Sequence, residues 1–183
     1  YEFIIKNSNT SAQNSKLYKN KENIFLSGLV QFNSSLPLVK DSKNYKKILN
    51  PKIALKLSPN YTKDYRSDNT KIDINNIYSL DRAQKKDMLE GGFSLTYGND
   101  FTLFNKENSK DIFSFKIANN LRLEENKDLP GNSQIGKKTS SILNEILFKP
   151  NESVKFKYSS SIKNNLSDIN YENLVTEFKI NNL

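Results

Sequence analysis

Residues 93–103 read Phe93-Ser94-Leu95-Thr96-Tyr97-Gly98-Asn99-Asp100-Phe101-Thr102-Leu103. Apolar side chains fall at Phe93, Leu95, Tyr97, Phe101 and Leu103. Polar or small residues (Ser94, Thr96, Gly98, Asp100, Thr102) lie between them. A period of two is the mark of a strand with one apolar and one polar face.

The same period recurs along the chain. Ile53, Leu55 and Leu57 alternate with Lys52, Ala54, Lys56 and Ser58. Phe113, Phe115, Ile117, Leu121 and Leu123 alternate with Ser114, Lys116, Ala118, Asn120 and Arg122. Val154, Phe156, Tyr158 and Ile162 alternate with Lys155, Lys157, Ser159, Ser161 and Lys163. Near the end, Leu174, Phe178 and Ile180 stand against Val175, Glu177 and Lys179. Ile24 to Val39 and Ile142 to Phe148 carry apolar residues at both parities, so periodicity leaves their facing open. No sustained helical stripe is present. Ala is scarce and Asn and Ser abundant, which disfavours helix interiors. Ser79 to Glu90 is the one candidate for a helical turn or two.

Connections are expected at 6–23, 40–46, 59–88, 105–110, 125–139, 150–152 and 164–169. The first six alternate long and short. The short ones have hairpin chemistry, as in Asn105-Lys106-Glu107-Asn108 and Pro150-Asn151-Glu152. Long loops at one end and short turns at the other are the habit of a transmembrane β-barrel. Crossing its apolar band takes about 10 residues per strand, and these segments are that long. The expectation is an all-β, antiparallel up-and-down meander of about seven or eight long strands, part of a transmembrane β-barrel. Tyr18, Tyr97, Tyr158 and Tyr171 fall near expected strand ends. There they fit an aromatic girdle or ordinary strand preference.

Composition agrees. Asn, Lys and Ser make up 73 of 183 residues, and apolar content is only 36%. Leu, Ile, Val and Phe still total 51, above the roughly 20% that marks disorder. A wall that is apolar on one face only needs no large dry core. With no Cys and no His, disulfides, thiolate metal sites, cysteine nucleophiles and Ser-His-Asp chemistry are excluded from this chain. No catalytic residue, metal site or cofactor is expected. The net charge of +8 is almost all Lys, spread evenly and without a long basic cluster, which argues against nucleic acid. Tyr1 is not Met and no signal peptide is visible. The chain reads as an internal piece or a processed product.

One motif stands apart. Asp81-Arg82 is followed by Leu89-Glu90-Gly91-Gly92-Phe93 and Thr96-Tyr97-Gly98. On physics alone it is a local ion pair plus a glycine bend where a long loop enters a strand. The run also resembles the barrel domain of the LptD family, outer-membrane LPS-assembly proteins. Leu49 to Pro59 resembles that family's strand between Pro and Ser-Pro. Leu129-Pro130, then Lys138 to Ile142, then Pro150-Asn151-Glu152 resembles a later hairpin, although Ser140-Ser141 stands where the family commonly has a small–acidic pair. The resemblance covers roughly residues 24–183.

The resemblance implies a segment, residues 1–183, of a large outer-membrane barrel, without the family's N-terminal jelly roll. It implies LPS as cargo, an LptE-like lipoprotein plug, periplasmic LPS-bridge proteins reached through the missing N-terminal domain, and outer-membrane lipid around the wall. Asp81, Arg82, Glu90, Gly91 and Gly92, with Tyr97 and Gly98 beyond them, would mark a loop folding over or into the barrel. Lys116, Lys155 and Lys157, on the polar face, are candidates for contact with the lipid headgroup. The alternatives are a porin-like channel, or a soluble or secreted β-sheet binding module whose apolar faces pack on a second sheet.

Overall fold

Alternation becomes strand throughout the chain. The computed structural model describes residues 1–14, 22–60, 62–108, 110–131 and 134–179. Nine strands follow in order: β1 (Glu2–Thr10), β2 (Asn23–Ser35), β3 (Leu38–Asp41), β4 (Tyr45–Ser58), β5 (Gly92–Asn105), β6 (Lys110–Arg122), β7 (Ile142–Phe148), β8 (Val154–Ile162) and β9 (Ile169–Phe178). All pair antiparallel in one meander, β1-β2-β4-β5-β6-β7-β8-β9, with β3 beside β4. Among the described residues the sheet stays open, with β1 and β9 at its ends. This is the all-β meander expected of part of a barrel.

β2 and β3 occupy one position in the sheet. β2 ends where Ser35 faces Lys52, and β3 begins where Leu38 faces Leu49. Pro51 sits opposite the gap. It has no N–H to give to a ladder, and its carbonyl instead accepts from the Leu36 N–H at 3.0 Å. The sheet thus has eight rows of strand, one of them broken.

Three expectations are corrected. Residues 6–10 belong to β1 and not to a connection. They are polar and carry no alternation, but they complete a ladder in which Lys6 faces Ser27 and Thr10 faces Asn23. Ser79–Glu90 forms turns and no helix. Gln84 lies at φ 52°, in the left-handed region, and that interrupts any helical path. Tyr97 and Tyr158 lie in the middle of β5 and β8 and not near strand ends; Tyr171 does lie near the start of β9, where Lys71 covers it with Nζ 4.0 Å from the ring centre. Tyr18 and Ile180 lie outside the described residues.

The two faces differ sharply. Phe3, Ile5, Leu26, Phe32, Ile53, Leu57, Leu174 and Phe178 project from the outer face and are exposed. An apolar surface of this extent marks contact with a membrane or partner. The inner face carries Gln31, Lys56, Ser94, Thr96, Asn120 and Arg122, all buried. They are buried because the long connection 59–91 lies on them. Its Ile72, Ile74, Ile77 and Met88 form a small core with Leu129 and Ile135 of the 123–141 connection and with Ala118 and Leu143 of the wall. That contact explains the mixed parity of 142–148: Ile142, Ile146 and Phe148 face out, while Leu143 faces the connection.

Candidate functional site

The site is the seam between the 59–91 connection and the inner wall. Arg82 lies at its centre, 2% exposed. Its Nε donates to Glu90 Oε2 at 2.7 Å and its Nη2 to Glu90 Oε1 at 2.6 Å. Nη2 also reaches Ser94 Oγ at 3.1 Å. Nη1 donates to Asn120 Oδ1 at 3.1 Å, and to Thr96 Oγ1 and the Ile77 carbonyl at 3.2 Å. Each nitrogen of the planar fork is therefore engaged, a set of contacts that lysine has too few donors to make. Ser94 and Thr96 reach Arg82 because β5 alternates: its polar positions face inward. Asn120 joins them because it stands opposite Thr96 in the β5–β6 ladder.

Glu90 is shared. Arg122, at the end of β6, donates to its Oε1 and to the Gly91 carbonyl. Burial alone pushes the Glu90 carboxyl up, but Arg82, Lys56 and Arg122 outweigh it and hold the group well below the ordinary carboxylate range. Gly91 donates its N–H to Thr62 Oγ1 at 2.8 Å. Gly92 has φ +91°, and a Cβ there would lie 2.9 Å from Arg122 Nη2. Glycine suits this backbone conformation, and any side chain here would have to displace the Arg122 guanidinium.

Asp81 does not join this knot. Its carboxylate pairs with Lys6 of β1, whose Nζ also donates to the Lys85 and Met88 carbonyls. Lys56 of β4, 1% exposed, donates to the Ser79 and Leu80 carbonyls. Gln31 of β2 gives its amide to the Tyr78 carbonyl at 2.8 Å. Gly98 has a separate task. A Cβ there would strike the Ile117 carbonyl and the Tyr78 hydroxyl, so its absence lets the Tyr78 ring lie against the wall. Burial and Asp100 raise the Tyr78 phenol above its usual range, so it stays protonated. Tyr97 points outward and is exposed.

The motif of the sequence therefore comes together only in part. Arg82, Glu90, Gly91 and Gly92 form one cluster, Asp81 turns to β1, and Gly98 receives Tyr78. Lys6, Lys56, Arg122, Gln31 and Asn120 were not singled out by sequence. Parity places Lys56, Arg122 and Asn120 on the polar face of their strands, whereas Gln31 falls in the stretch whose facing periodicity leaves open, and several of the acceptors are loop carbonyls, which leave no trace in residue type. Lys116, Lys155 and Lys157 lie on the inner face apart from the knot. Lys116 and Lys157 hold Glu145 at 3.1 and 2.9 Å, and Lys155 pairs with Glu177 at 2.8 Å.

The arrangement fastens a loop to the wall. Contacts run from Lys6 in β1 to Tyr171 in β9, so the connection straps nearly the full width of the sheet. A family model described as LptD, LPS transport system D, matches residues 4–182. No curated protein matches the chain. The family match spans nearly the whole chain, and its wall, apolar outside and polar within, suits a membrane barrel; the protein belongs to the LptD family, outer-membrane proteins of Gram-negative bacteria that serve LPS transport.

Proposed function

We propose that the chain is a wall segment of an outer-membrane barrel translocon that assembles LPS at the cell surface. One observation carries this reading: a lipid-compatible outer face backs an inner face that is polar and strapped by a long connection. Acyl chains would stay with lipid on the outer side, and sugars and phosphates would travel along the inner side. The protein acts by positioning, without bond chemistry. Lys116, Lys155 and Lys157 are the inner cations that meet the headgroup. An LptE-like lipoprotein and periplasmic LPS-bridge proteins are the proposed partners.

Depletion of the full-length protein tests the reading. The expected result is loss of newly made LPS from the cell surface, with a closed lumen in planar bilayers. Surface LPS unchanged on depletion, together with a stable open conductance, would replace it with the porin-like alternative. Affinity capture of the full-length protein should recover a lipoprotein in stoichiometric amount.

A further inference from the structure

The outer face carries one feature that an apolar wall does not call for. Between residues 40 and 47 the β3–β4 hairpin holds four lysines and one aspartate. Lys40 stands directly opposite Lys47 in the ladder. Both have the parity of Leu38, Leu49 and Ile53, which are exposed on the outer face. The two side chains thus leave the sheet on the same side, with Cβ atoms about 5 Å apart, and like charges so placed repel. Asp41 does not relieve them. It has the opposite parity, and Lys106 of the next turn takes its carboxylate at 2.9 Å. Among the described residues neither Lys40 nor Lys47 enters an ion pair.

The pair sits at a defined height on the wall. Along the ladders Lys47 faces Leu103, Leu103 faces Phe113, Phe113 faces Phe148 and Phe148 faces Phe156. The lysines therefore end an outward tier of large apolar side chains, in which the Phe148 and Phe156 rings stack with centres 6.4 Å apart. The tier toward the long connections is Leu38, Leu49 and Phe101. On the other side lies the short turn Ser42-Lys43-Asn44, with Tyr45 exposed beside it. An aromatic tier next to turns marks the level of lipid headgroups, and short turns lie on the periplasmic side. A lone lysine at that level reaches water along its own stem. Two opposed lysines beside hydrocarbon repel more strongly than in water, and an anion shared between them relieves both.

We propose that Lys40 and Lys47 clamp the phosphodiester of an anionic glycerophospholipid, of the phosphatidylglycerol class, in the leaflet at the short-turn end. Its acyl chains lie along Leu38, Leu49 and Phe101. Lys43, exposed in the turn, adds to the positive potential there. Charge selects this lipid, because a zwitterionic headgroup brings a cation of its own to the two lysines. The inference rests on the membrane-wall part of the proposed function and is independent of the cargo.

Native mass spectrometry of the full-length protein tests it, with the protein released from micelles that carry phosphatidylglycerol and phosphatidylcholine in equal trace amounts. The singly lipidated species should retain phosphatidylglycerol in preference to phosphatidylcholine. Lys40→Gln with Lys47→Gln should lower that ratio about tenfold or more. Lys40→Arg with Lys47→Arg should preserve it. Lys163→Gln, which breaks an exposed pair with Asp168 at the opposite end of the wall, should change nothing. Excess glycerol phosphate should not displace the lipid, since the acyl chains share in its binding. In phosphatidylcholine the double Gln variant should melt no lower than the native protein, because a repulsion has been removed. Equal retention of the two lipids, an unchanged ratio in the double Gln variant, displacement by glycerol phosphate or a lower melting point would each overturn the proposal. If depletion abolishes surface LPS and no lipid preference is seen, this inference alone falls. If depletion leaves LPS unaffected, the transport reading falls on its own test.

Discussion

Glu90 holds two guanidinium groups where water does not reach. Replacing it with Gln keeps the shape and removes the carboxylate that Arg82 and Arg122 share. Losing one partner of a buried ion pair costs about 3–5 kcal/mol. Glu90→Gln should therefore lower the thermal midpoint of the full-length protein and open the 59–91 connection to protease. The sign of the pH effect follows from the depressed carboxyl. Its contribution is complete above the unfolded value of about 4.3 and is lost progressively as pH falls from there to the far lower folded value. The cleavage pattern should thus be the same at pH 7 and about pH 5.5; new cuts at the lower pH would refute the assignment. Gly98→Ala should cost about 1–3 kcal/mol through overpacking. Adding Tyr78→Ala should recover only part of it in chemical denaturation, because the Ile117 carbonyl remains in the way. Sequence marked Gly98 as part of a motif. Its reason was hidden, since Tyr78 meets it only through the fold.

At the scale of elements, the 59–91 connection behaves as a second layer on the wall. Deleting residues 66–87 from the full-length protein removes the strap with its Ile72, Ile74 and Ile77. The expected outcome is a measurable ion conductance in planar bilayers where the intact protein is closed. An unchanged, closed trace would mean that other parts of the protein seal the lumen. The strands of this element pair were readable in advance: Ile53 to Ser58 and Phe93 to Leu103 alternate cleanly. The connection was recognised as long and polar, but its docking was not visible. Its apolar residues Ile72, Ile74, Ile77 and Met88 are few and irregularly spaced, and they acquire a common side only when turns bring them over Ala118 and Leu143. β1 was half missed for a related reason. Lys6 to Thr10 are strand because β2 supplies partners, and a polar edge leaves no periodic signal.

At the scale of the molecule, inside and outside are inverted relative to a water-soluble sandwich. Ile53, outward on β4 and 46% exposed, should meet hydrocarbon, and Thr102 on β5 should not. Ile53→Arg should cost about 2–4 kcal/mol in refolding into lipid vesicles, and Thr102→Arg within about 0.5 kcal/mol. Equal penalties would show that the apolar face is buried against protein. This overall arrangement was the most legible part of the sequence, because period two fixes facing and the alternation of loop lengths fixes which ends lie together.

The strap also says something about time. Its contacts reach β1 and β2, made before it, and β6, β7 and β9, made after it. Its docking is complete only when strands from both sides of the chain are present, and contacts so distant along the chain form slowly. Its charged knot cannot wait in lipid. The wall is thus expected to assemble around the connection, with the strap serving as the former on which the sheet takes its shape.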